Sequence, residues 1–354
     1  MNNILKISEC VKKSEIDAIL ITDYYNRLFA TGFSSTAGVL FVTGECAWFF
    51  TDSRYDEAAG NVILNAEVRL VTKEAPYSKQ IGEIIAENNI MKIGFEEDCI
   101  LYSEYRDWCA KLDAELCPEQ RILNDLRAVK SQEELEKLIE IQRISEKAFE
   151  EILPMISDKI TEKDLADELI YRLLKNGAED KSFDPIVVSG ERSSMPHGVP
   201  TNAKIKKGFL TLDFGAKLNG WCSDTTRTVC LGEPSDEMKK VYDTVLEAQL
   251  AGIAVARAGV KGSEVDGAAR SVIEKAGYGK YFGHGFGHGL GLQVHESPNA
   301  APSWEKPLPA GTVISAEPGI YLPGKFGVRI EDVIYITTGD AINITHLPKK
   351  LLIL

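Results

Sequence analysis

Asn219-Gly220 stands between two runs rich in β-forming residues, FLTLDFGAKL before it and WCSDTTRTVCL after it. Asn-Gly favours a two-residue type I′ turn, because both central positions need positive φ and these residues tolerate it. The chain must therefore double back here as a β-hairpin. With that turn Leu218 faces Trp221, and counting back along both arms puts Asp213 opposite Thr226. Thr226 and Asp224 lie two residues apart on one strand and share a face. Asp213 and Asp224 then sit diagonally on one face, with backbones roughly 7–8 Å apart. Carboxylates at that distance can converge on one cation or bridge two. The alternative is a pair of solvated acids on an exposed strand face.

A second acidic pair follows the same logic. TVISAEP (312–318) and GVRIEDVIYI (327–336) are β-type runs joined by a loop with Pro323, Gly324 and Gly327. Ser315 and Glu317 share one parity, and Arg329 and Glu331 share another on the following strand. Glu317 sits between Ala316 and Pro318 after an apolar run, so it is either a site ligand or the buried partner of Arg329. Between the two pairs lies GHGFGHGLGLQVHE (283–296). Its alternate glycines leave one side bare while His284, Phe286 and His288 project from the other, if the segment is extended. Bare backbone admits a ligand or a neighbouring strand at close range. The spacing is not that of a dinucleotide fingerprint. Gly319–Lys325 fits GxxxxGK, but Phe326 replaces the required Ser or Thr and Pro323 interrupts the loop, so no phosphate loop is expected.

Asp213, Asp224, His288, Glu317 and Glu331 thus form a set of metal-ligand type. Four carboxylates and an imidazole brought together carry a charge that bound cations would neutralise. Four of the five histidines (His197, His284, His288, His295) lie in or near these stretches, and only His346 lies apart, with no role assigned. The pattern points to a metallohydrolase. The net charge of −13 argues against nucleic acid and against anionic lipid. Seven cysteines, odd in number and without a CxxC pair, suit reduced thiols of a cytoplasmic protein. No run approaches 18 continuous apolar residues, and MNNILKISECVKKSEI lacks a signal-peptide core, so no membrane association is expected.

A chain of 354 residues is long enough for two cores. Short β-type runs at 17–22, 38–43, 46–51, 67–72 and 92–95 alternate with helical stretches such as YSKQIGEIIAENN, which predicts an α/β domain over 1–125. The polar segment NDLRAVKSQEELEKL marks the junction, with Ser131 and Glu134 as a capping box opening the second domain, 126–354. Leu135, Leu138, Ile139, Phe149 and Ile152 form the apolar stripe of its first helix. A second helix starts near Thr161 and stops at Asn176-Gly177, and two more cover about 236–258 and 263–276.

At these residues the chain resembles the pita-bread metallopeptidases, in particular aminopeptidase P and prolidase. FTDSRY (50–55) is similar to the N-terminal domain those enzymes share with creatinase, and FDPIVVSGERSSMPHGVPTNAKIKKGFLTLDFGAKLNGWCSDTTRT to the start of their catalytic domain. The resemblance spans essentially the whole chain. It implies a creatinase-like α/β domain followed by a pseudo-twofold α+β catalytic domain, and a homodimer. It also implies two divalent metal ions, Mn²⁺ or else Co²⁺ or Fe²⁺, with Zn²⁺ less suited. Asp224 and Glu331 would bridge the metals, Asp213 would bind one, and His288 and Glu317 the other. A metal-bridging hydroxide would attack the bond before proline, with Glu317 carrying its proton. His197 and His295 match histidines that steady the scissile carbonyl, and His284 another near the site. Arg329 and Thr226 would orient carboxylates, and Phe183 and Ile186 would border a proline pocket. Many prolidases carry an arginine shortly after the His-Glu pair, where this chain has Asn299, so the expectation leans to removal of the residue before proline from longer peptides. Xaa-Pro dipeptidase activity is the alternative. Methionine aminopeptidase lacks such an N-terminal domain, creatinase does not use the metal pair, and a non-catalytic scaffold on this fold would be expected to lose ligands.

Overall fold

The protein is described by a computed structural model covering residues 3–354. It divides into two compact units, Met1–Arg127 and Ala128–Leu354. In the first, six strands form one sheet in the order Glu67–Leu70, Ala47–Thr51, Val39–Thr43, Ala18–Ile21, Lys92–Phe95, Glu115–Pro118. Its middle strands pair antiparallel and its outer ones parallel. Alternate side chains enter opposite cores: Ile19 joins Leu40 and Phe49, while Leu20 joins Phe41 and Ile84. Five of these strands fall where the β-type runs predict. The sixth, ELCP, escapes a reading of periodicity because it is four residues long and ends at Pro118.

The second unit begins with helix Gln132–Ile152, opened by the predicted Ser131–Glu134 capping box. It buries Leu135, Leu138, Phe149 and Ile152 as expected, whereas Ile139 is half-buried and Ile141 takes the core position. Helix Glu162–Lys175 packs beside it, capped by Thr161 and followed by Gly177 at φ 111°. Helices Asp236–Val255 and Gly262–Lys275 form a second pair. Each pair is followed by a hairpin bearing two of the acids, at 208–231 and at 313–335, so the duplication implied by the resemblance is present. Each copy has its own core, one centred on Phe149 stacked on Phe214 and the other containing Phe286.

The first hairpin has the predicted register. Asn219 and Gly220 have φ of 51° and 81°, Leu218 faces Trp221, and Asp213 faces Thr226. Regular pairing pauses at Gly215 and at Ser223–Asp224 without a change of offset. The backbones nearly touch there, since a Cβ on Gly215 would lie 1.9 Å from the Ser223 carbonyl oxygen.

Two expectations need correction. The second hairpin turns at 323–325, and Gly327 lies inside strand Phe326–Arg329, where its missing Cβ admits the Ser193 carbonyl. Its ladder is also in two parts, Val313–Ala316 with Asp332–Tyr335 and Gly319–Leu322 with Phe326–Arg329. One offset relates both parts, so Glu317 and Glu331 face each other in the gap. Pro318 beside them has no N–H to give across the strands. The glycine-histidine segment, in turn, is extended only over Gly287–Gly289 and bends at His284 and Phe286. Phe286 therefore turns into the core against Gly252, away from the histidines. The close approach itself is as predicted, because a Cβ on Gly287 would sit 1.9 Å from the Ser315 carbonyl.

Two glycine substitutions should move stability in opposite directions in urea melts. Gly215→Ala forces the hairpin apart and is expected to cost about 1–3 kcal/mol. Gly267→Ala, exposed in a helix with nothing within 4 Å of the new Cβ, is expected to add about 0.5–1 kcal/mol.

Candidate active site

The two hairpins and the glycine-rich segment line a cleft of about 880 Å³ in the second unit. Every side chain nominated from the sequence borders it except Thr226, which lies just behind. Ligand atoms of Asp224, His288 and Glu331 all lie within 4.8 Å of one another. Nε2 of His288 is 3.7 Å from Asp224 Oδ2 and 3.1 Å from Glu317 Oε1. The other ring nitrogen, Nδ1, is 3.1 Å from the Gly289 carbonyl and donates to it, which aims Nε2 at the carboxylates. Asp213 is turned differently: one of its oxygens is held by the Arg329 guanidinium. The alternative of a Glu317–Arg329 pair is therefore not what forms. Arg329 serves Asp213, and Glu317 pairs with His288.

These pairings decide the electrostatics. Burial pushes Glu317 up, but the hydrogen bond and charge of His288 more than offset it and bring it to about 2. Burial pulls His288 down, and Glu317 outweighs that, leaving the imidazole above its ordinary value. Asp213 is raised by burial, with Arg329 opposing. Asp224 and Glu331 stand well above the carboxylate range, first through burial and then through repulsion by neighbouring acids. Oδ1 of Asp213 and Oδ1 of Asp224 are buried with no hydrogen-bond partner. A buried, unpartnered carboxylate oxygen is costly unless something positive meets it. An oxygen-rich set with one imidazole fits divalent cations that prefer hard donors.

A second layer orients these groups. Thr226 donates to Glu331 Oε2 at 2.8 Å and accepts from Arg329 Nε at 3.0 Å. Ser315 donates to Glu317 Oε1 at 3.1 Å and accepts the His288 backbone N–H. Arg329 also donates to the Tyr321 hydroxyl at 2.9 Å, and that hydroxyl lies 2.9 Å from His284 Nε2. The hydroxyl proton therefore goes to Nε2, and Nδ1–H of His284 donates to the Gly285 carbonyl. With both ring nitrogens engaged and its pKa lowered, chiefly by burial, His284 is a neutral support for Tyr321. Tyr321 was missed in the sequence. A correctly placed turn at 323–325 would have found it, because it then faces Gly327 and lies diagonal to Arg329.

His197 and His295 stand at the exposed mouth, and the His295 ring is edge-on to His288 with centroids 4.2 Å apart. Ile186 pairs directly opposite Asp213, and Phe183 is half-buried on the same wall. Asn299 also faces the cleft. The cations lining it each have an acidic partner: Lys163 with Asp167, Lys181 with Asp184, and Arg329 with Asp213.

Comparison with known proteins places this arrangement. Residues 4–129 match the creatinase/prolidase N-terminal domain, and residues 136–338 match metallopeptidase family M24. The chain is 42% identical to the uncharacterized peptidase YqhT of Bacillus subtilis, covering 96% of each. Among solved structures it is similar to an Xaa-Pro dipeptidase from Bacillus anthracis, with TM-score 0.95, 41% identity and 99% of each chain covered. It is also similar to an X-Pro aminopeptidase from Thermotoga maritima, with TM-score 0.91, 36% identity and 98% and 99% covered. With both domains matched in order and the acids, histidines and arginine gathered in one cleft, the chain belongs to metallopeptidase family M24.

Proposed function

We propose that this protein is a metal-dependent Xaa-Pro peptidase that removes the residue preceding proline. The observation that carries the proposal is the convergence of Asp224, His288, Glu331 and Glu317, with buried carboxylate oxygens left over for a cation. Asp213, Asp224, His288, Glu317 and Glu331 would hold two divalent ions, of which Mn²⁺ suits the donors best. Bound there, such ions polarise a carbonyl and make water a better nucleophile at neutral pH. Glu317 would take the proton of the attacking water on a carboxylate oxygen and pass it to the prolyl nitrogen as that bond breaks. His197 and His295 would donate to the scissile carbonyl from the mouth. Arg329 holds one carboxylate oxygen of Asp213, and Thr226 fixes Glu331. Proline offers no N–H, so the peptide must be held by its ring and its extended backbone, for which Phe183 and Ile186 offer an apolar wall.

The same cleft bears on substrate length. A dipeptide ends in a carboxylate just past the ring, where many prolidases carry an arginine; this chain has Asn299 in the cleft instead, and the lining cations already serve acids. This favours longer peptides, an aminopeptidase P-type activity. Xaa-Pro dipeptidase activity is the second reading, favoured by the similarity to the Bacillus anthracis structure. The ratio of kcat/KM for Ala-Pro to that for Ala-Pro-Ala decides between them. We expect the longer peptide to win, and Asn299→Arg to shift the ratio toward the dipeptide by about ten-fold or more. A wild-type preference for Ala-Pro would put the dipeptidase reading first. A homodimer is part of the proposal through the resemblance, and a cytoplasmic location through the seven free cysteines. Among the described residues no helix is long and apolar enough to cross a membrane.

Two further outcomes follow from the charges. Asp224→Asn is expected to lower bound Mn²⁺, measured by elemental analysis, and to cut kcat by more than the ~10–100-fold typical of losing an outer-sphere partner. Metal-free protein should also respond to pH in a defined direction. The folded pKa values of Asp224 and Glu331 lie above the unfolded value of about 4, so the stability tied to their protonated forms is complete below that value. It is lost as pH rises through the folded values. Thermal melts with Mn²⁺ and with chelator should therefore diverge as pH rises, the metal-free protein falling behind. A gap that narrows toward pH 8 would contradict this.

A further inference from the structure

The gap in the second hairpin leaves an unusual set of backbone bonds. Glu317 and Glu331 face each other there, but the N–H of Glu317 goes to the Phe286 carbonyl and that of Glu331 to the Thr226 carbonyl. Both strands are thus pulled toward other segments at the point where they carry the acids. The carbonyls of the residues just before them, Ala316 and Ile330, are taken by a single side chain. Nε2 of Gln249 lies 3.1 Å from the Ala316 oxygen and 3.2 Å from the Ile330 oxygen. Gln249 comes from helix Asp236–Val255 and is fully buried. Ile330 lies opposite Pro318, which has no N–H to offer it.

We infer that Gln249 is a positioning residue that sets the separation of Glu317 and Glu331, and through it the affinity of the site for its cations. The inference rests on the metallopeptidase reading proposed above. Two observations argue against simple packing. Oε1 of Gln249 is buried with no hydrogen-bond partner, a cost that an apolar side chain of the same length would avoid. What the amide brings is two N–H donors, and both are used across the gap. The other half of the duplicated unit has a counterpart. In the first hairpin, Ser145 of helix Gln132–Ile152 accepts the Ala216 N–H and bonds the Ser223 hydroxyl, beside Asp224. Gln142 of the same helix donates to Thr225. In each half, polar side chains from the first helix occupy the break that carries the ligands.

The test is Gln249→Leu, which keeps the volume and removes both donors. Full-length, chelator-stripped protein is titrated with Mn²⁺ by calorimetry, and kcat and KM for Ala-Pro-Ala are measured over a range of Mn²⁺. The expected result is Mn²⁺ binding weakened by about 10–100-fold in the variant. kcat should fall at limiting metal and recover as Mn²⁺ is raised, with KM unchanged. Wild-type-like Mn²⁺ binding in a folded variant overturns the proposal, even if urea melts show lower stability. Should Gln249→Leu fail to fold, Gln249→Glu, of the same shape with at most one donor, is expected to show the same weakened binding. If neither folds, Gln249 is a folding residue and the proposal falls. Wild-type protein that binds no Mn²⁺ would instead remove the metallopeptidase reading on which it rests.

Discussion

Four carboxylates share one buried cleft, and the rest of the catalytic unit is organised by the cost of keeping them there. Taking even one ionised carboxylate out of water costs several kcal/mol unless it finds a partner. The protein supplies two. Arg329 holds Asp213, and the His288 ring, whose pKa burial lowers but Glu317 raises further, lies 3.1 Å from Glu317 as its partner. Glu331 accepts the Thr226 hydroxyl and Asp224 shares the His288 ring with Glu317 at 3.7 Å, yet both acids stand well above the carboxylate range, first through burial and then through repulsion by neighbouring acids. The imbalance is local to the point where the ligand atoms converge. A divalent cation is the simplest group that removes it.

The scaffold meets this demand by interrupting regular structure at defined places. A continuous β-ladder would turn successive side chains to alternate faces and leave every backbone group paired. Both hairpins keep their register but give up pairing where the acids lie, at Asp224 in the first and at Glu317 and Glu331 in the second. The freed groups are then met from elsewhere. Arg227 is fully buried and donates to the carbonyls of Thr226, Glu331, Leu347 and Pro348 as well as to Asp332. It ties the two hairpins to the C-terminal segment immediately behind the clustered acids. Rigid placement of this kind is what a site built from several distant segments requires.

Much of this could be read from residues, and the reason differs from element to element. The Asn219-Gly220 turn dictates one register, so the Asp213–Thr226 pairing follows by counting. The Ser131 and Thr161 caps mark helix starts because their side-chain bonds are local. The second hairpin was harder. Its two glycines and a proline allow more than one turn position, and placing Gly327 in the loop hid both Tyr321 and the facing of Glu317 and Glu331. The glycine-histidine run misled for another reason. Phe286 lies in the core because helix Asp236–Val255 offers the space above Gly252, a long-range fact that no local period contains. Gln249 was invisible for the same reason, since nothing in its own helix marks it apart from a core glutamine. The ordered set of acids and histidine carried the family resemblance, while the hydrogen bonds that orient it needed the fold.

The central claim is that the cleft uses bound divalent ions to cut before proline, and one assay bears on it most directly. Chelator-stripped protein is reconstituted with known equivalents of Mn²⁺ and offered Ala-Pro-Ala beside Ala-Ala-Ala. The account predicts that cleavage of the proline peptide rises with added metal and levels off near two equivalents, while Ala-Ala-Ala stays intact. Equal cleavage of both peptides, or none by protein that has taken up the metal, would contradict it.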